Sequence, residues 1–188
     1  MANPEHLEIL KQGVEVWNQW REMHLEIHPD LMLAKLSNMS LAGAYLSRAN
    51  FIGAKLCEAD LRNAYITRAN FTEADLRGAS LSKSDLSRTN FQDAIFIEAD
   101  LIRADLSGAY LNRSDLRRAR LREAILRQAN LNKANLSGSD LRGAIFRGAD
   151  LSDAFLCKAD LRRTDFADTD LTNMDLSTGQ NRINVMVI

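Results

Sequence analysis

No proline follows Pro29 and no histidine follows His28 in this 188-residue chain. The first absence leaves every later backbone N–H free to hydrogen-bond, as a laddered structure requires. The second removes the commonest general base from the body of the chain. Aromatic residues make up only 6% of the sequence, so a core must come from leucine and alanine rather than from rings. Two cysteines are too few for a disulfide framework. A formal net charge of −1 argues against gross attraction to nucleic acid or to an anionic membrane. No apolar run exceeds a few residues, so no segment reads as a membrane-spanning helix. The start of the chain carries Glu5, His6 and Glu8 where a secretory leader needs an apolar core, and a cytoplasmic location is expected.

What the chain has instead is a beat of five. From Leu31 to Leu176 a large apolar residue returns at every fifth position, thirty times without a skip: Leu at twenty-three, Phe at six, Ile at one. Two positions earlier stands a small residue, Ala at twenty-one of the thirty and Ser or Thr at six more. Asp or Asn directly precedes the apolar residue at eighteen. An α-helix scatters residues five apart around its circumference, and a flat strand sends them to opposite faces. The chain must therefore turn regularly, and four sides of five residues close a coil of twenty. Residues twenty apart match accordingly: Phe51, Phe71 and Phe91; Asn50, Asn70 and Asn90; Tyr45 and Tyr65; Ile125 and Ile145. In such a coil the large residue points inward, the small one lies inward beside it, and the Asp or Asn is expected at a corner, bonding nearby backbone. Cys57 and Cys157 lie five coils apart, roughly 24 Å at ladder spacing, and are expected to be free thiols.

Ala59-Asp60-Leu61-Arg62-Asn63, Ala69-Asn70-Phe71-Thr72-Glu73 and Ala149-Asp150-Leu151-Ser152-Asp153 resemble the pattern of the pentapeptide-repeat family, Ala-(Asp/Asn)-Leu-x-x. The resemblance implies an all-β solenoid: a right-handed quadrilateral β-helix, here of about seven and a half coils, with an N-terminal α-helical cap.

Three segments are read. Residues 1–28 form the cap: Asn3 caps a helix with Pro4 at its first position, and Leu7, Leu10, Val14 and Trp17 share one face, with Ile9, Val16 and Trp20 beside them. A single helix over about Pro4 to Met23 is expected, weakened by Gly13, with Leu25 to Pro29 as an extended lead. Its role is to hide the open end of the solenoid. Residues 29–178 form the β-helix. Residues 179–188 abandon the beat and turn β-branched, a strand-like segment that folds back or pairs with a second copy. A monomer is preferred over a dimer through that segment, which offers little area.

No catalytic constellation is visible, and no cofactor is expected. His24 and His28 have helical ligand spacing but no third partner, so no metal site is assigned. The outer surface says more. At the two positions after each apolar residue, Lys and Arg number eighteen against seven Asp and Glu. Arginines fall into columns twenty apart: Arg48, Arg68 and Arg88 beside Tyr45 and Tyr65, and Arg122, Arg142 and Arg162. These eight residues are the candidate partner-binding face. Stacked like charges need counter-charges, and neighbouring carboxylates such as Asp85 beside Arg88 are the simplest source. The layout Val16-Trp17-Asn18-Gln19-Trp20-Arg21 followed by Pro29-Asp30-Leu31 resembles cyanobacterial members of the family, some of which act in heterocyst differentiation. That resemblance implies a non-enzymatic protein–protein interaction scaffold, regulatory in kind, with an unidentified protein partner. The alternative from the same family is a DNA mimic that protects gyrase or binds nucleic-acid machinery. A mimic needs dense negative charge, and the basic outward positions lean the other way. Direct nucleic-acid binding and membrane binding are not expected.

Overall fold

The structure, a computed structural model, describes residues 1–177. From Asp30 onward each residue just before an inward apolar one forms a parallel bridge to its counterpart twenty residues later, unbroken from Asp30–Asn50 to Phe155–Asp175. One side of the coil repeats one set of bonds. The Leu31 and Leu33 N–H groups donate to Asn50 O and Ile52 O of the next coil at 2.8 and 2.9 Å, and the Asn50 N–H donates back to Pro29 O at 2.8 Å. The Ala34 N–H closes the turn onto Leu31 O at 3.0 Å. Proline at any of these donors would break the ladder.

The third residue of every described turn is left-handed, with φ from 55° to 71°. Seven of these residues are glycine and twenty-two are not. A positive φ only at this position, with a bond from the fourth N–H to the first carbonyl, marks a type II turn. For a non-glycine residue that conformation costs roughly 1–2 kcal/mol, which the ladder bonds on both sides must offset. The Asp or Asn does not sit in the corner. It occupies the bridge position, and its side chain accepts the N–H two residues on, at all eighteen places. The carboxylate or amide thus caps the turn that follows it.

Inside, the apolar residues stack coil on coil. The Phe51 and Phe71 rings lie 4.4 Å apart and nearly parallel, Phe71 and Phe91 5.2 Å apart, and Phe146 and Phe166 5.3 Å apart. Serine in place of the small alanine satisfies its own turn: the Ser84, Ser114 and Ser139 hydroxyls donate to Leu81 O, Leu111 O and Leu136 O. Thr89 donates instead to Ile66 O of the preceding coil. Among the described residues this interior is filled by Leu, Phe, Ile and Ala, with the few inward Ser and Thr hydroxyls bonded to backbone carbonyls.

The cap is two helices, not one: α1 (Pro4–Lys11) and α2 (Val14–Met23). Gly13, at φ 112°, breaks the run, a conformation that side-chain-bearing residues rarely adopt. Leu10 and Trp17 are fully buried, while Val16 is exposed. The lead after α2 starts with a turn at residues 25–26, closed by the Ile27 N–H on His24 O, and is not extended throughout. The cap also covers open ladder groups of the first coil. The Trp17 indole N–H donates to Tyr45 O, and the Tyr45 N–H donates to Asn18 Oδ1. The Asp30 N–H donates to His6 Nδ1, and Asp30 O accepts the Asn3 N–H. Side chains and one backbone N–H thus supply the bonds that a preceding coil would make on two of the four sides. Among the described residues no helix is long and apolar enough to cross a membrane. The segment 179–188 lies outside the described residues.

Candidate partner-binding surface

Each turn displays two outward residues, and an arginine's partners depend on which of the two it is. At the first, the guanidinium swings back onto the Asp at the bridge of its own repeat. Arg62, Arg77, Arg117, Arg142 and Arg162 each donate through Nε and Nη2 to Asp60, Asp75, Asp115, Asp140 and Asp160, with Nη2–Oδ2 distances of 2.6 Å. These forks hold the Asp140 and Asp160 carboxyls below their ordinary range. Asp75, almost fully buried, is driven by Arg77 to about 2, against the opposing effect of its burial. The Cys57 thiol next to it is raised, chiefly by burial and then by the Asp75 carboxylate.

At the second, left-handed position the own-repeat bridge residue is either an acid already engaged with its turn or, as with Tyr110 before Arg113, no acid at all. Where counter-charge is present, it comes from the same position one coil away. Arg103 meets Glu123 at 2.7 Å, Arg113 meets Asp93 at 2.7 Å, and Arg118 meets Glu98 at 3.3 Å. Arg48, Arg68 and Arg88 occupy this position, all at positive φ and all exposed. Their column continues with Gly108, Gln128 and Gly148, so no carboxylate stands next to them in it. Among the described residues none of the three makes an ion pair. Asp85 does not serve Arg88: its carboxylate accepts the Ser87 N–H at 3.0 Å and the Ser87 hydroxyl at 2.7 Å.

The six candidate arginines therefore fall on two consecutive turns of the coil, with the two tyrosines on the side between them. Tyr45 and Tyr65, edge to face at 5.4 Å, share a side with the turns that carry Arg48, Arg68 and Arg88. Arg122, Arg142 and Arg162 belong to the turns before that side, farther along the rod. Arg142 and Arg162 are held by their own aspartates; Arg122 follows Arg120 instead of an acid and lies beside Glu123. Sequence reading overlooked what flanks the first column. One hollow beside it is lined by Thr67, Arg68, Ser87, Arg88 and Ser107, and another by Arg68, Arg88, Gly108, Tyr110, Gln128 and Asn130. Reading the Ser47, Thr67, Ser87, Ser107 column at a spacing of twenty would have shown the first wall.

The cap reaches the same edge. Arg21, buried, donates through Nη1 to His24 O and Ile27 O and through Nη2 to Ser47 O at 3.4 Å, while its Nε has no acceptor. Burial lowers its pKa most; Glu26 opposes that, and the charge of Arg48 adds to it.

A profile of pentapeptide repeats matches the chain in eight copies, over residues 30–68, 44–82, 69–108, 109–148 and 144–178. The chain is a pentapeptide-repeat protein. Among solved structures this pentapeptide-repeat protein is similar to a trypsin-treated variant of QnrB1, a plasmid-mediated fluoroquinolone resistance protein. The identity is 26% and the TM-score 0.74, over 81% of this chain and 77% of that one. HetL, a pentapeptide repeat protein involved in heterocyst differentiation regulation from the cyanobacterium Nostoc sp. strain PCC 7120, is 32% identical over 78% of this chain and 80% of its own, with a TM-score of 0.32. No curated protein matches the pentapeptide-repeat chain.

Proposed function

We propose that this pentapeptide-repeat protein is a non-enzymatic scaffold that binds a protein partner along the side of its coil, in the cytoplasm and in a regulatory role. In this reading residues 1–28 are the cap, residues 29–178 a right-handed rod of about seven and a half coils, and the chain is a monomer. The observation that carries it is the contrast between a packed interior and an exposed column of three arginines without ion pairs on a rigid ladder. An interior filled with leucine and phenylalanine offers no substrate site, whereas a stiff surface presents fixed groups at little entropic cost on binding. The test is capture from an extract of the source cells with the immobilised full chain. A stoichiometric protein partner is expected; recovery of nothing above bare beads sinks the reading.

The likeness to QnrB1 favours a second reading, protection of gyrase by DNA mimicry. The charge balance opposes it: turn and bridge positions together carry twenty-one basic and twenty acidic residues, so the dense negative charge of a mimic is not presented. Expression in a fluoroquinolone-sensitive bacterium separates the two readings: unchanged susceptibility is expected, and a raised inhibitory concentration would favour mimicry.

A further inference from the structure

We propose that the Arg48–Arg68–Arg88 column seats an acidic, extended segment of a protein partner, laid along the axis of the coil. Its carboxylates meet the guanidinium groups, and an apolar residue beside them rests on Tyr45 and Tyr65. The inference depends on the scaffold reading and adds the chemistry of what the scaffold holds.

Charge is the first support. Coils repeat at roughly 4.8 Å, so three like charges stack over about 10 Å, and like charges facing one another across a ladder repel. Elsewhere on this rod three arginines at the second turn position, Arg103, Arg113 and Arg118, are neutralised by an acid one coil away. Lys83, Lys158 and Arg163 make no ion pair among the described residues, but none of them stands in a stack of three arginines. Here the neighbours are arginine, Gly108 and Gln128, so a bound carboxylate relieves a repulsion instead of displacing an existing pair. Shape is the second. Hollows open on both sides of Arg68 and Arg88, and a Cβ placed on Gly108 would stand 3.5 Å from Arg88 Cγ, so the Arg88 stem lies over a bare backbone. Length is the third. An extended chain rises about 3.3 Å per residue, so three or four residues span the column and alternate side chains face it. The patch is too short for a nucleic acid to track. Beyond Tyr65 the same bridge column becomes Asp85 and Asp105, which would repel a longer polyanion.

The test titrates a fluorescein-labelled peptide of about ten residues, alternating Glu with a Leu-Phe end, into the full chain by anisotropy. A labelled DNA duplex is titrated in parallel. Binding of the peptide is expected, weakened at least ~10-fold in the Arg48→Gln, Arg68→Gln, Arg88→Gln variant. The Arg103→Gln, Arg113→Gln, Arg118→Gln variant removes the same charge from ion-paired positions outside the candidate face and is expected to change affinity less than ~2-fold. Glutamine suits the column because Gln128 already occupies it at positive φ, and unchanged circular dichroism confirms folding. No peptide binding by the unaltered chain, equal losses in both variants, or tighter binding of the duplex would each overturn the inference. If the extract partner is captured equally well by the first variant, the column assignment falls and the scaffold stands. If the extract yields nothing while the peptide still binds through the column, the scaffold reading falls and the assignment holds.

Discussion

Arg142 and Arg88 stand in the same kind of turn, one position apart in the beat of five, and their circumstances are opposite. Arg142 folds back on Asp140 with two bonds and also lies 3.5 Å from Asp160. Arg88 has Arg68 on one side, Gly108 on the other, and a neighbouring aspartate occupied by serine. The lesson is that a basic census of outward positions overstates the free charge on such a rod. An arginine at the first turn position is consumed by its own repeat whenever Asp is at the bridge. One at the second position is free unless the coil above or below carries an acid there.

The largest effect expected from testing this contrast is at Asp75, where the fork is most buried. Asp75→Asn keeps the cap on the turn, as Asn50 and Asn70 do, and removes the charge that Arg77 engages and that Lys55 faces at 3.9 Å. Because the folded pKa is depressed from 3.8 to about 2, the stability involved is present above pH 4 and lost as pH falls through about 2. Urea melts are expected to show the variant about 1–2 kcal/mol less stable at pH 7, screening by the exposed Arg77 included, with the gap closing near pH 2. A gap that persists below pH 2 would mean the fork is not its source.

Next in size is the paired column itself. Asp140→Asn with Asp160→Asn is expected to cost about 1 kcal/mol and to release Arg142 and Arg162. If release is what makes an arginine adhesive, that variant gains affinity for the acidic peptide; no gain would break the comparison. A smaller effect of opposite sign is expected at the free column. Arg68→Glu places an acid between Arg48 and Arg88, as Glu123 stands beside Arg103, and left-handed Glu98 and Glu123 show that the backbone accepts it. It is expected to stabilise the chain by roughly 0.3–0.6 kcal/mol at low salt, an increment that 0.5 M NaCl removes. Smallest is a rate: with the Asp75 charge gone, Cys57 is expected to react a few-fold faster with iodoacetamide at pH 7.5, followed by mass spectrometry.

Much of this was legible before any coordinates. The coil of twenty follows from a beat that neither helix nor strand can carry, and Phe51, Phe71 and Phe91 stack as their spacing required. The columns were legible for the same reason, since addition by twenty names each neighbour. The aspartates were misplaced to a corner because the chemistry that puts Asp in turns says only that its side chain bonds the N–H two residues on. Whether the residue itself bends depends on φ, and φ is positive at Leu33, not at Asp30. The expected Asp85–Arg88 contact failed through competition: Ser87 lies closer along the chain and supplies two donors. Gly13 reads as a weak point in one helix, yet its φ of 112° ends the run outright and leaves two helices, each burying its own apolar residue, Leu10 and Trp17.

By itself the sequence determined the repeat, the inward residues and the vertical neighbours, because a regular coil gives every fifth residue one environment. Only the tertiary structure decided which arginines are spent and which are free. That depends on side-chain reach around a left-handed residue, a matter of a few ångströms that no count along the chain contains.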